Sequence, residues 1–197
     1  YVVAWYATLK LGASFTGVNF TFTEEEISYQ ISHADPKVML VEDSFVGKFD
    51  NIKDQLNGIN AKVVSNTVAD TASKEWLRFS DVIKTHDRVE VDHMVSEDDI
   101  AMLIYTSGTE AFPKGVMIPH RNYIMSTTPA WSYALDIRMS DRWLFLMPFH
   151  TIAGLGSMTS LTQIGATLVL AHTVDAPMAA RVISAEQVTI MAQTPTF

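Results

Sequence analysis

The chain of 197 residues contains no cysteine, so neither a disulfide framework nor a thiolate zinc site is available to it. Positive charge is scarce: 14 Lys and Arg face 22 Asp and Glu, for a formal net charge of −8. A general nucleic-acid binder carries a basic face, so this balance excludes that class, while a local anion site stays open because the local loop decides. Long apolar runs are also missing. Stretches such as Trp143 to Met147 fall well short of the roughly 20 residues that a membrane-spanning helix needs. The opening lacks the form of a secretion signal, because Lys10 interrupts its apolar stretch and no basic start precedes it. A cytoplasmic location is the default expectation.

Several catalytic signatures are absent as well. A Walker A loop needs Gly-Lys in that order, whereas Lys114 precedes its glycine. The dinucleotide fingerprint fails, since Gly154-Leu155-Gly156 is followed by Ser157, Met158 and Thr159 with no third glycine. Ser107 has no Gly-x-Ser-x-Gly elbow around it and is not a hydrolase nucleophile. His86 and His93 are too far apart for a helical ligand pair. No internal repeat or low-complexity run is visible. With 48% hydrophobic residues the chain nevertheless has ample material for a core.

What is present is concentrated in Tyr105-Thr106-Ser107-Gly108-Thr109-Glu110-Ala111-Phe112-Pro113-Lys114-Gly115-Val116. The preceding run Ile100 to Tyr105 is short, apolar and bounded by acids and Thr-Ser-Gly, so it reads as a buried strand. A chain leaving such a strand through Thr106, Ser107, Gly108 and Thr109 offers hydroxyls and approachable backbone N–H groups to an anion. Lys114 supplies the compensating charge. Pro113 and Gly115 punctuate the loop where it turns back.

This segment resembles the signature loop of the adenylate-forming enzymes: acyl- and aryl-CoA synthetases, nonribosomal peptide adenylation domains and luciferases. Their pattern, Tyr-Thr-Ser-Gly-Thr-Thr/Ser-Gly-x-Pro-Lys-Gly, is matched at Tyr105 through Thr109 and at Pro113, Lys114 and Gly115. It is departed from at Glu110 and Ala111. The resemblance extends over nearly the whole chain. Val2 to Ala13, Val18-Asn19, Glu24 to Asp35 and Lys37 to Val41 are similar to the family's early elements. Met147-Pro148-Phe149-His150 with Ala153-Gly154 resembles its Pro-x-Phe-His-x-x-Gly motif, with spacing shifted by one residue on each side of the histidine. Gly165 to Leu170 and Thr194-Pro195-Thr196 are similar to later segments, while the Tyr-Gly-x-Thr-Glu and Thr-Gly-Asp motifs find no match. The expectation is an interior fragment of a longer enzyme, closest to the fatty-acyl-CoA synthetases.

The resemblance implies a two-step ligation. A carboxylic acid attacks the α-phosphorus of ATP to give an acyl-adenylate and pyrophosphate, and the thiol of coenzyme A then displaces AMP. Thr106, Ser107, Gly108, Thr109, Glu110, Lys114 and Gly115 would bind the nucleotide. Lys114 and Thr106 would act in catalysis, Thr106 lying near Mg2+, and Phe149, His150 and Gly154 would line the substrate pocket. The acid is expected to be hydrophobic, a fatty acid first, with aryl acids, amino acids or a non-catalytic nucleotide-binding module as alternatives. A homodimer stays open. A Glu110 carboxylate about 4 Å from a phosphate charge would cost roughly 4 kcal/mol at an effective dielectric near 20, so it should point away or meet Lys114 or a metal. Ala111 costs about 1–2 kcal/mol if its position is left-handed.

Periodicity predicts an α/β chain with mostly parallel strands, part of the large N-terminal domain of such an enzyme, in two parts at 1–95 and 96–197. Helices are expected at 2–11, at 24–32 behind a Thr23/Glu26 capping box, and at 44–56 and 80–84. Further helices follow at 121–135 and 153–163 and after Asp175. Strands are expected at 37–41, 61–64, 100–105, 143–147, 166–171 and 188–192. His120, with Arg121 and Asn122, is expected to start a helix and pack there. Trp131, Tyr133, Trp143, Phe145 and Met147 read as core, with one or two of them able to border an acyl tunnel. The apolar faces of 2–11 and 194–197 are expected to be exposed.

Overall fold

Helices and strands alternate along the chain in a computed structural model that describes residues 1–65, 75–87, 89–106, 113–171 and 175–193. Two compact units emerge, one of Tyr1–Met94 with Tyr105–Gly115 and the other of Val95–Ile104 with Val116–Phe197. Among the described residues no helix is long and apolar enough to cross a membrane.

In the first unit, α1 (Val2–Lys10) ends where Gly12 adopts φ +65, a conformation that glycine takes without a Cβ penalty. Its Trp5 is fully buried, edge-on to Phe15 of the short strand β1 (Phe15–Thr16), while Val3 and Leu11 are exposed. Helix α2 (Glu24–Ala34) starts with the expected capping box. The Thr23 hydroxyl accepts the Glu26 N–H at 3.3 Å and the Glu26 carboxylate accepts the Thr23 N–H at 2.8 Å. Three glutamates in that turn favour the helix dipole. The helix runs beyond Ser32 and stops where Asp35 turns left-handed at φ 46.

Strands β2 (Val38–Glu42), β3 (Ala61–Ser65) and β4 (Leu77–Arg78) form a parallel sheet in that order, with Val38 opposite Ala61 and Val63 opposite Leu77. The single helix expected at 44–56 is instead a 3-10 turn at Asp43–Phe45, helix α3 (Val46–Asp50) and a second 3-10 turn at Lys53–Leu56. Val46, Phe49 and Ile52 are all buried, and apolar residues spaced by three stay on one face only if the coil tightens toward three residues per turn. Helix α4 (Phe79–Thr85) follows β4. Ile27 and Ile31 of α2, Met39 and Val41 of β2, Val64 of β3 and Trp76 share one core with the residues of the broken segment. The Trp76 indole N–H is satisfied by the Asp50 carboxylate at 3.0 Å.

Strand β5 (Ile100–Tyr105), expected from its apolar run, adjoins β6 (Gly115–Pro119), which pattern reading missed. Only five residues long and closed by Gly115 and Pro119, β6 has too little alternation to be distinguished from the loop before it. In the second unit, the end of this pair is tied by the His120 N–H to the Asp99 carbonyl at 3.1 Å and the Arg121 N–H to the Glu97 carbonyl at 2.9 Å. Arg121 also pairs with the Asp98 carboxylate.

The helix expected at 121–135 divides into a π-helical stretch at Asn122–Thr127 and α5 (Thr128–Ala134). Pro129 has no N–H to give to the Met125 carbonyl, and the Ser126 and Thr127 hydroxyls both donate to the Asn122 carbonyl, at 2.5 and 3.1 Å. The regular ladder is thereby interrupted, and the wider coil takes its place.

Strands β7 (Arg142–Phe145), β8 (Thr167–Leu170) and β9 (Ile190–Met191) form a parallel sheet ordered β8-β7-β9. Helix α6 (Ile152–Ile164) connects β7 to β8, and α7 (Ala176–Ala185) precedes β9. The Asp175 carboxylate caps α7 through the Met178 N–H at 2.7 Å. Trp131 stacks on buried Trp143 with ring centroids 5.1 Å apart. Phe145 is buried, in line with a core role, but Tyr133 is 89% exposed on the outer side of α5 and does not belong to the core expected of it.

Candidate active site

The start and end of the signature loop are described in the first unit; Ser107, Gly108, Thr109, Glu110, Ala111 and Phe112 lie outside the described residues. The two ends meet in a neck, where the Thr106 N–H donates to the Lys114 carbonyl at 3.1 Å. That bond fixes the backbone of both candidate phosphate-side residues while their side chains remain exposed. Gly115 begins β6 directly behind Lys114.

Helix α2 packs its Tyr29 and His33 against the same neck. The Tyr29 hydroxyl donates to the Pro113 carbonyl at 3.2 Å, and His33 Nδ1 lies 2.7 Å from the Tyr105 hydroxyl. Burial first, and then the nearby Tyr29 phenol, push the Tyr105 hydroxyl up to about 12, so it stays protonated at neutral pH. Neither Tyr29 nor His33 stood out in the sequence. The signal was there in part, since the capping box fixes the phase of α2 and residues four apart then share one face. The partners they meet lie far away in the chain.

Phe149, His150 and Gly154 lie together in the second unit, in the connection from β7 to α6. The Thr151 hydroxyl donates to the Pro148 carbonyl at 2.8 Å and accepts the Gly154 N–H at 3.1 Å, which caps the helix and folds the connection tightly. A Cβ at Gly154 would stand 2.0 Å from the Pro148 oxygen, so the glycine permits a backbone approach that no other residue allows. Phe149 stacks on Phe145 with centroids 4.8 Å apart. His150 is half-buried, and desolvation holds its imidazole below the ordinary value, leaving it neutral at neutral pH. A neutral ring beside aromatic side chains suits an apolar or weakly polar neighbour better than a phosphate.

His120 follows a similar rule. Burial lowers its pKa and the Asp99 carboxylate pulls the other way, while Nε2 is buried with no hydrogen-bond partner among the described residues. Its carbonyl accepts the Tyr123 N–H at 3.1 Å, and the Tyr123 hydroxyl reaches Met102 Sδ at 2.7 Å. Among the described residues no group of three or more His, Cys, Asp or Glu could hold a metal ion. The Thr106 hydroxyl is compatible with Mg2+, which keeps several waters and usually takes only one or two protein oxygens beside substrate phosphates.

Comparison with known proteins gives this arrangement its class. The family model described as AMP-binding enzyme matches residues 1–197, and the chain belongs to that family. It is 29% identical over 200 residues to the medium-chain-fatty-acid–CoA ligase of Ectopseudomonas oleovorans, covering 99% of this chain and 37% of the ligase. Among solved structures it is similar to the anthranilate CoA ligase AuaEII in complex with anthranoyl-AMP, at 26% identity and a TM-score of 0.85, covering 99% of this chain and 38% of the other. The N-terminal domain of FACL13 from Mycobacterium tuberculosis shares the fold, at 24% identity and a TM-score of 0.81, with 98% of this chain and 46% of that one covered. The chain thus spans a little over a third of the length of the curated relatives it matches.

Proposed function

We propose that the chain is part of an ATP-dependent, AMP-forming acid–thiol ligase that activates a hydrophobic carboxylic acid, a fatty acid first, and passes it to coenzyme A. The observation that carries this reading is the neck, which holds Thr106 and Lys114 together at the ends of the signature loop. In adenylation, the acid's carboxylate oxygen bonds to the α-phosphorus of ATP as the bond to the bridging oxygen breaks and pyrophosphate leaves. The step needs no protein nucleophile. It needs alignment and neutralisation of charge on the departing phosphates, which we assign to Lys114, the hydroxyls of Thr106, Ser107 and Thr109, and the backbone around Gly108 and Gly115. Glu110 would face away from the phosphates or meet Lys114 or a metal. Bound Mg2+ would share in neutralising those phosphates, with Thr106 beside it.

Phe149 and His150 are assigned to the acid's side of the reaction. A neutral, half-buried imidazole next to an aromatic stack supports an uncharged substrate body there, and Gly154 supports it by letting α6 begin close under Pro148. The same feature accommodates a flat aryl acid, and the likeness to a ligase with anthranoyl-AMP favours an aryl acid as the second reading. Carboxylate-dependent ATP–pyrophosphate exchange, run with fatty, aryl and amino acids on the longer protein that carries this segment, separates them. Exchange driven by fatty acids supports the first reading. Exchange with aryl acids alone replaces it with the second, and exchange with none overturns both.

A further inference from the structure

One helix face meets both ends of the signature loop, at the Pro113 carbonyl on one side and at the Tyr105 side chain on the other. Tyr29 and His33 stand four residues apart on α2, so their side chains stack along one face, ring centroids 5.8 Å apart and 22° from coplanar. Tyr29 reaches Pro113, which directly precedes Lys114; His33 reaches Tyr105, which directly precedes Thr106. The His33 and Tyr105 rings meet edge to face at 5.7 Å, adding a geometric restraint to the hydrogen bond. The Tyr105 phenol, held protonated, can donate to His33 Nδ1 when the imidazole carries its proton on Nε2. The Thr106 N–H to Lys114 carbonyl bond lies between these two braces. That bond extends the hydrogen-bonded pair of β5 and β6 to the two ends of the loop. Two further points of attachment on one rigid helix fix the orientation of the neck.

We propose that Tyr29 and His33 are positioning residues for adenylation, holding the backbone that presents Thr106 and Lys114 to the phosphates of ATP. The proposal rests on the ligase reading above. Neither residue touches the reacting atoms; each acts through the residue it holds. Because alignment counts only while pyrophosphate is leaving, their loss affects adenylation and spares the later transfer to coenzyme A.

The test compares the longer protein with its Tyr29→Phe, His33→Ala and His33→Asn variants and the His33→Ala/Tyr105→Phe double variant. Three quantities are read: ATP–pyrophosphate exchange, transfer of a preformed acyl-adenylate to coenzyme A, and the thermal midpoint. Tyr29→Phe keeps the ring and removes only the donor. It and His33→Ala are each expected to lower kcat/KM for ATP in the exchange about five- to tenfold, as the loss of one positioning hydrogen bond implies. The KM for the acid, the acyl transfer and the thermal midpoint stay as in the wild type. His33→Asn, which can still accept from the Tyr105 hydroxyl, restores most of the exchange. Adding Tyr105→Phe to His33→Ala costs nothing further, because both remove the same bond. Unchanged exchange in Tyr29→Phe and His33→Ala overturns the proposal, and so does an equal loss in exchange, transfer and midpoint. A wild-type protein that exchanges with no acid overturns the ligase reading itself.

Discussion

Lys114 carries its charge on an exposed side chain beside a neck held by backbone bonds, so its removal tests electrostatics separately from folding. Lys114→Ala is expected to slow adenylation by about 2–3 kcal/mol of barrier with the thermal midpoint unchanged, as single-turnover formation of the adenylate would show. Gly154 gives the opposite pattern. Gly154→Ala places a methyl group against a backbone carbonyl that cannot turn aside, so the α6 start must move, at a cost of about 1–3 kcal/mol in chemical unfolding. His150 adds a pH dependence. Desolvation lowers its folded-state pKa from the ordinary histidine value of 6.5, so the unfolded chain takes up a proton first as pH falls below that value. Stability contributed by the neutral ring is present above pH 6.5 and is lost on going down toward the folded pKa. His150→Gln should therefore flatten the fall in unfolding free energy between pH 7 and 5.5; an unaltered slope would contradict this.

Among the elements, α2 connects local sequence to the neck most directly. Its capping box was legible because Thr23 and Glu26 interact within one turn, and the same bonds fix the phase that aims Tyr29 and His33. Thr23→Ala is expected to cost about 1 kcal/mol in stability, measured by urea unfolding. The Tyr29 contact with Pro113 was not legible, because it joins residues 84 apart and depends on a fold that local periodicity does not encode. Similarly, a regular helix was expected at 121–135 from composition. The π-helical start arises from competition for the Asn122 carbonyl and a missing Pro129 N–H, which a 3.6-residue pattern passes over. Strand β6 was missed for another reason: Gly115 and Pro119 at its ends read as turn residues and leave only Val116, Met117 and Ile118 between them. The strands β2, β3, β5, β7 and β8 were legible, since each is a short apolar run set between turn residues.

For the whole molecule, the signature loop and the α/β pattern point to one family, and the family match over residues 1–197 agrees. The chain covers 37% of the Ectopseudomonas ligase, and under the proposed function the 197-residue chain alone is expected to make no acyl-CoA from acid, ATP and coenzyme A. Turnover by this chain, free of contaminating ligase, would contradict that expectation. The central claim is adenylate formation, and carboxylate-dependent ATP–pyrophosphate exchange measures that step without the thiol. Exchange that appears with a hydrophobic acid and is largely lost in Lys114→Ala is the predicted result. A protein that binds ATP but exchanges with no acid, or that exchanges equally well without Lys114, would contradict it.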